Sequence, residues 1–146
     1  MCAVNLAIVH RQSGALTRAR ELNEAALDSL RSSLGSDHPY ALCCAANQAS
    51  DLAAMGEHGR ALALSKETLD LSLGGERGPN HPYTLASANN YALDLAATGA
   101  VAESAELRQR TLTELRRNPN IGEAHPDMVL AKDGRRIDCD VEPPPF

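Results

Sequence analysis

The stretch HPYALCCAANQASDLAAMG at residues 38–56 decides the fold of this chain, because the chain contains it twice. Residues 81–99 read HPYTLASANNYALDLAATG, and 12 of the 19 aligned positions are identical. A shorter copy, HPDMVLAK, begins at residue 125, so the His-Pro pairs follow one another at intervals of 43 and 44 residues. Self-similarity at this period indicates a solenoid of stacked repeats.

Within each copy the apolar residues follow the period of an α-helix. Leu42, Ala45, Ala49 and Leu52 are spaced by 3, 4 and 3 residues, which places them on one helical face. A glycine follows, at Gly56 in this copy, and suits a helix end that requires positive φ. A second stripe of leucines comes after the glycine. Each unit therefore predicts a helix A, a glycine turn and a longer helix B.

The composition excludes several classes of function. The chain has 146 residues, a net charge of −5 and 3% aromatic residues, so it presents no basic or aromatic surface for nucleic acid or anionic lipid. No apolar run approaches the ~20 residues that span a bilayer. The four cysteines form no C-x-x-C pair, which favours reduced thiols in a cytoplasmic protein. We expect a cytoplasmic protein with neither nucleic-acid nor membrane partners.

Three histidines, His38, His81 and His125, stand in register and raise the question of a metal site. Equivalent residues of successive helix pairs lie roughly 18–20 Å apart, whereas zinc ligands lie ~2.1 Å from one ion. The histidines are therefore interpreted as part of the signal that starts each helix A. In this interpretation the following proline occupies the first turn, and Asp37 or Asn80 helps to cap it. We expect no metal and no cofactor.

No arrangement of residues indicates an enzyme. The sequence contains no nucleophile elbow of the G-x-S-x-G type and no P-loop. Asp51 and Asp94 occupy the same position in the two long copies, and this repetition favours helix-end or surface charges over an acid–base pair. The sequence therefore predicts a protein without catalytic residues.

The pattern of helix A, short turn and helix B, with alanine where the helices approach closely, resembles the tetratricopeptide repeat. The period and the G-x-x-H-P and N-x-A-x-x-L motifs resemble the kinesin-light-chain type of this repeat. The resemblance implies an all-α, right-handed superhelical solenoid of antiparallel helix pairs, with about three repeats and a C-terminal stub. We expect a repeat domain at residues 1–131, with units at about 1–34, 38–73, 81–117 and, in part, 125–131.

In such repeats the A helices line a concave face, and in the kinesin-light-chain type their asparagines hold cargo peptides. The resemblance therefore implies a groove in which asparagine amides donate to and accept from an extended backbone. The partner-binding residues expected there are Asn47, Asn90, Asn89, Ser50, Leu93 and Asn5. The competing interpretation is that Asn47 and Asn90 brace helix A against its neighbour.

Residues 132–146 are expected to form an extended or disordered proline-rich tail, which includes GRRIDCDVEPPPF from residue 134 onward. One alternative is a disordered segment. The other is that Ile137, Val141 and Phe146 pack back on the last helix pair. The tail also resembles the C-terminus of actinobacterial regulators that join a P-loop NTPase to tetratricopeptide repeats.

We therefore expect a non-catalytic module that docks a protein or peptide partner on its concave face, as the C-terminal part of a larger bacterial regulatory protein. Two alternatives remain open. The apolar stretch MCAVNLAIV at residues 1–9 lacks the polar cap of a solenoid end and could pair two chains as a homodimer. The repeats could also be the sensor or autoinhibitory arm of an NTPase switch, with the groove binding its own chain.

Overall fold

The computed structural model describes residues 2–141, with side chains from residue 3 onward, and this part of the chain is helical without strands. The described helices are α1 (Cys2–Gln12), α2 (Leu16–Leu34), α3 (Pro39–Ala54), α4 (His58–Gly74), α5 (Pro82–Ala97), α6 (Val101–Arg117) and α7 (Pro126–Lys132). Each helix packs against the next one along the chain, up to α7 against α6. The predicted all-α fold of stacked helix pairs is confirmed.

The helices form two layers. Besides their hairpin partners, α1 contacts α3 and α3 contacts α5, so these A helices form one continuous layer. Helices α2, α4 and α6 pack on the other side of it. Since α3 has neighbours on both sides, every residue from 41 to 52 is buried. Alanines such as Ala41, Ala49 and Ala92, each 0% exposed, let the helices approach closely.

A glycine turn ends every A helix in the same way. Gly14, Gly56 and Gly99 have φ values of 84°, 79° and 95°, in the region that a side chain disfavours. The N–H of the residue after each glycine returns to the last turn of the helix, as in Glu57 N to Leu52 O at 2.9 Å. This bond satisfies a carbonyl that the helix end would leave unpaired.

Each later A helix begins with a histidine cap. The Nδ1 atoms of His38, His81 and His125 accept the backbone N–H two residues ahead, at 3.2 Å in all three helices. The histidine itself is therefore the N-cap, in place of the preceding Asp37 or Asn80. The imidazole reaches the free N–H groups of the first turn because its own backbone is extended and the following proline starts the helix.

The fourth A helix is short, and the chain turns back after it. Helix α7 ends at the same kind of glycine, Gly134, with φ of 66°, and Arg135 N returns to Leu130 O at 2.8 Å. No helix B follows among the described residues. Residues 135–141, here called the tail segment, instead cross the layer of A helices. Ile137 and Val141 are 2% and 3% exposed, but they do not pack on the last helix pair alone, because Ile137 bonds Asn90 of the third hairpin and Val141 bonds Asn5 of the first. Phe146 lies outside the described residues.

Candidate functional site

The concave face of α1, α3 and α5, here called the groove, is the candidate site. Asn5, Asn47 and Asn90 each lie nine residues before the glycine of their hairpin, so the repeat places one amide on each A helix. All three side chains face the tail segment. Asn47 and Asn90 are 0% and 2% exposed, so their side-chain amides must form hydrogen bonds with other groups of the protein and not with water.

Asn90 and Asn47 hold the tail segment by its backbone. Asn90 Nδ2 donates to Ile137 O at 2.8 Å, and Ile137 N donates back to Asn90 Oδ1 at 2.9 Å. Asn47 makes the same pair of bonds with Cys139, at 2.8 and 3.0 Å. Both amides therefore spend a donor and an acceptor on the tail segment, and not on a neighbouring helix as the bracing interpretation requires.

The first hairpin continues the same arrangement. Asn5 Nδ2 donates to Val141 O at 3.3 Å and Asn5 Oδ1 accepts from Val141 N at 3.1 Å. The three hairpins thus hold alternate residues of the tail segment, one residue each, in the order third hairpin to first. The tail segment runs opposite to the order of the repeats. Asn89 adds a bond from Nδ2 to Arg135 O at 2.9 Å.

The tail segment has the alternating burial of a β-strand. Ile137, Cys139 and Val141 are 2%, 1% and 3% exposed and belong to the apolar cluster that contains Val4, Cys43 and Ala86. The residues between them are partly or fully exposed. Alternation with a period of two is the signature of an extended chain with one face buried.

A buried carboxylate pairs with the arginine at the start of the tail segment. Arg136 donates from its two terminal nitrogens to Asp94, at 2.6 and 3.2 Å, and from Nε to Ser50 Oγ at 3.0 Å. Asp94 is 1% exposed and also accepts from Ser65 Oγ at 2.7 Å. Asp94 lies in the last turn of α5, as the helix-end interpretation predicts, but its burial shows that it is not a surface charge.

The equivalent Asp51, in the last turn of α3, is also buried, at 0% exposed, so it is not a surface charge either. Its carboxylate accepts from Asn23 Nδ2 at 2.6 Å and forms an ion pair with Arg11 of α1. Burial raises the pKa of Asp51, whereas the hydrogen bond from Asn23 and the charge of Arg11 act to lower it. Arg11 also donates to Asp138 of the tail segment at 2.6 Å, so it links a groove carboxylate to a tail carboxylate.

Two thiols meet where the tail segment crosses α3. The thiol of Cys139 lies beside Cys43 and lowers the pKa of Cys43, with a further contribution from Arg77, while burial acts to raise it. The same contact and burial raise the pKa of Cys139. The adjacent Cys44 points away from the tail segment and donates to Asn23 O at 3.4 Å. Burial raises the pKa of Cys44 to about 12.

The structure brings five of the six predicted site residues into polar contact with the tail segment: Asn5, Asn47, Ser50, Asn89 and Asn90. Leu93 is half-buried on α5. The sequence pattern did not identify Arg11, Asp51 and Asp94 as residues of the site. The two aspartates could have been identified from their recurrence five residues before the glycine in both long copies. A buried charge is costly unless it is paired, so this recurrence indicates that a cation lies nearby.

Within residues 2–141 there is no group of three or more His, Cys, Asp or Glu side chains that could hold a metal ion. The helices of this range also include none with both the length and the apolarity that a bilayer span requires.

Comparison with known proteins supports the repeat pattern. The family model for the tetratricopeptide repeat matches residues 1–74. Among solved structures, a Podosopora anserina protein described as a kinesin light chain with nearly identical TPR-like repeats superposes with a TM-score of 0.79 at 25% identity, over 90% of this chain and 61% of that one. A variant of that protein gives 0.78 at 24% identity, over 90% and 60%. The chain therefore spans about three fifths of these structures. No curated protein matches it.

Proposed function

Because the chain belongs to the tetratricopeptide repeat family, whose stacked helices form binding surfaces for other proteins, we propose that it is a non-catalytic module that docks an extended peptide in the groove. One observation carries this proposal. Asn5, Asn47 and Asn90 each donate to and accept from the backbone of the tail segment. The tail segment serves as an example, within the same chain, of the ligand that the groove accepts.

The geometry suits a peptide and not a folded surface. The three amides recognise backbone groups of alternate residues, and only an extended chain offers these groups on one side. Backbone hydrogen bonds of this kind supply affinity for many sequences, as they do when a peptide adds to the edge of a sheet. In our proposal Asn47 and Asn90 form the centre of the site, and Asn5, Asn89, Ser50 and Leu93 extend it.

The tail segment also supports a regulatory role for the same groove. A partner must displace a segment that is tethered through Gly134, and a short tether gives an effective concentration in the millimolar range. We therefore propose that the tail segment is an autoinhibitory arm that sets the affinity threshold for partners. The module would work in the cytoplasm as the C-terminal part of a larger bacterial regulatory protein, in which an NTPase switch could control the release of the tail.

Self-association is a second candidate function, favoured by the outer face of α1. Leu6 and Val9 are 47% and 58% exposed there. Val9 is equivalent to Asp51, which contacts Asn23 on helix B of the preceding hairpin. The outer face of α1 is thus apolar and exposed among the described residues. Sedimentation at two protein concentrations separates a homodimer formed through this face from a monomeric docking module.

The docking function can be tested with the full chain. The double substitution Ile137→Ser and Val141→Ser should weaken the docking of the tail segment without altering the groove. We call this chain the open-groove variant. A fluorescent peptide with the sequence of residues 135–141, RRIDCDV, should bind it saturably under reducing conditions. Adding Asn47→Ala and Asn90→Ala should abolish this binding while the far-ultraviolet circular dichroism stays helical. A folded open-groove variant that binds no peptide would refute the proposal.

A further inference from the structure

We infer that the groove selects partner segments by sequence, in the order arginine, apolar residue, acidic residue, small apolar residue, any residue, apolar residue. This inference rests on the proposed docking function. The order is that of Arg136, Ile137, Asp138, Cys139, Asp140 and Val141 in the tail segment. The occupant that we assign is an extended segment of a different protein that carries this pattern and replaces the tail.

The requirement for arginine follows from an asymmetry between two hairpins. Asp51 and Asp94 are equivalent, and both are buried. The groove itself supplies the cation for Asp51, because Arg11 reaches it from α1. The residue equivalent to Arg11 on α3 is Ala53, three residues before its glycine, and its methyl group can offer no charge to Asp94.

Asp94 therefore depends on its ligand for a positive charge. In the described part of the chain its ion-pair partner is Arg136, which comes from the tail segment. An occupant without a cation at this position would leave a carboxylate that is 1% exposed and has no opposite charge, which is a costly arrangement. The contact is a two-pronged fork with an added bond from Nε to Ser50, a geometry that arginine satisfies and lysine cannot.

The acidic position is read by the cation that the first hairpin supplies. Arg11 spends one nitrogen on Asp51 and offers another to Asp138 at 2.6 Å, with Gln12 Nε2 adding a bond to Asp138 at 3.2 Å. The Asp138 side chain is 28% exposed, so this preference is weaker than the one for arginine. The ligand therefore carries a basic residue followed by an acidic one. The groove presents the complementary charges in the same direction, first Asp94 and then Arg11.

The remaining positions are set by burial. Ile137, Cys139 and Val141 point into the apolar cluster, and Cys139 lies against Cys43 on the central helix α3, where a small side chain fits. The side chain of Asp140 is exposed. Tyr83 Oη donates to the backbone oxygen of Asp140, at 3.1 Å, and not to its side chain. This position should accept any residue. The backbone bonds to the three asparagines fix the direction in which the pattern is read.

Matched substitutions in the peptide test the pattern, because the tail contains two neighbouring arginines and two nearby aspartates. In the RRIDCDV assay with the open-groove variant, Arg136→Ala should weaken binding by about thirtyfold or more, whereas Arg135→Ala should change it by less than about twofold. Asp138→Asn should weaken binding a few-fold and Asp140→Asn hardly at all. The affinity of the Arg136→Lys peptide should lie between the affinities of the wild-type and Arg136→Ala peptides.

The outcomes separate this inference from the proposed function. Equal losses for Arg136→Ala and Arg135→Ala would overturn the sequence selection, although peptide docking would stand. Absence of binding by every peptide would instead remove the docking function. A wild-type chain that sediments as a dimer, and becomes a monomer with Arg136→Ala, would show that a second copy's tail is the occupant and would overturn our assignment of a different protein.

A second measurement needs no added peptide and no weakened tail. In full-length chains that carry single substitutions, amide hydrogen exchange at Ile137, Cys139 and Val141 reports how well the tail segment is held. Arg136→Ala should accelerate exchange at these amides by the same factor by which it weakens the peptide, and Arg135→Ala should leave the rates unchanged. Equal protection in the two variants contradicts the inference.

Discussion

At the scale of single residues, Asp51 and Asp94 show how one repeat position acquires two roles. Both carboxylates are buried on an A helix and accept a hydrogen bond from helix B of the preceding hairpin, from Asn23 in one case and Ser65 in the other. The cation of Asp51 comes from the groove and that of Asp94 from the tail segment. Because an unpaired buried charge is costly, the first aspartate stabilises the solenoid and the second makes it dependent on an occupant.

The contact between Cys43 and Cys139 provides a proximity test for the docked tail segment. Mild treatment with hydrogen peroxide, which takes two hydrogens from the thiols as it is reduced to water, should join them in a disulfide. The intact mass should fall by the mass of two hydrogens, and peptide mapping should link α3 to the tail. Cys44→Ser should leave the yield unchanged, since Cys44 bonds Asn23. Loss of the cross-link in Cys44→Ser, or its persistence in Cys43→Ser, would contradict the docked position.

At the scale of elements, the histidine caps make the start of α5 sensitive to pH. Burial lowers the pKa of His81, and the charge of Arg77 lowers it further. A pKa that is depressed on folding means that protonation favours the unfolded chain. The cap therefore stabilises the fold above the unfolded pKa of about 6.5, and this contribution is lost as the pH falls through the folded pKa.

His81→Asn should remove this contribution to the pH dependence, because an asparagine caps a helix without titrating. Urea midpoints measured at pH of about 7.5 and about 5.5 should differ less in His81→Asn than in the wild-type chain. His58→Asn is the matched control, since His58 is the first residue of α4 and not its cap. A variant with an unchanged difference between the two midpoints would rule out the cap as the source.

The glycine turn after α7 determines where the tail segment goes. Gly134 has φ of 66°, and a Cβ there would lie 3.3 Å from Arg108 Nη2. Gly134→Ala should therefore destabilise the docked tail by about 1–2 kcal/mol, the cost of a left-handed backbone for a residue with a side chain. Faster tryptic cleavage at Arg135 and Arg136 would report this. Gly122→Ala, where a Cβ meets nothing within 4 Å, should leave cleavage unchanged.

At the scale of the whole molecule, the tail segment connects hairpins that are not adjacent in the stack. In a solenoid each repeat contacts the next, so stability is close to a sum of local terms. Here one extended segment bonds Asn5, Asn47 and Asn90 and thereby joins the first hairpin to the third. The tail segment therefore raises the cooperativity of unfolding as well as filling the groove.

The open-groove variant should consequently unfold less cooperatively than the wild-type chain. We expect its urea transition to broaden, with a lower m-value, because the hairpins can unfold at different denaturant concentrations. A chain with Leu6→Ser, a substitution at an exposed apolar residue of α1 away from the tail, should keep the wild-type slope. A shift in midpoint with an unchanged m-value would mean that nearest-neighbour packing alone couples the hairpins.

The sequence by itself determined the elements of this protein and the position of its groove. Helical periods, His-Pro starts and glycine stops are local signals within about twenty residues, and their repetition placed Asn47 and Asn90 on equivalent faces. The approach of the A helices followed from alanine at regular positions. These features could be predicted without the tertiary structure because the backbone dihedrals and the short-range hydrogen bonds that produce them depend on neighbouring residues.

Only the tertiary structure decided what fills the groove and why Asp51 and Asp94 are buried. Asn5 and Val141 are 136 residues apart in sequence, and Arg136 and Asp94 are 42 apart. No periodicity relates such pairs, since the tail segment is not a copy of any repeat. Its docking depends on the summed free energy of backbone bonds, one buried ion pair and three apolar side chains, which exists only once the three hairpins have stacked.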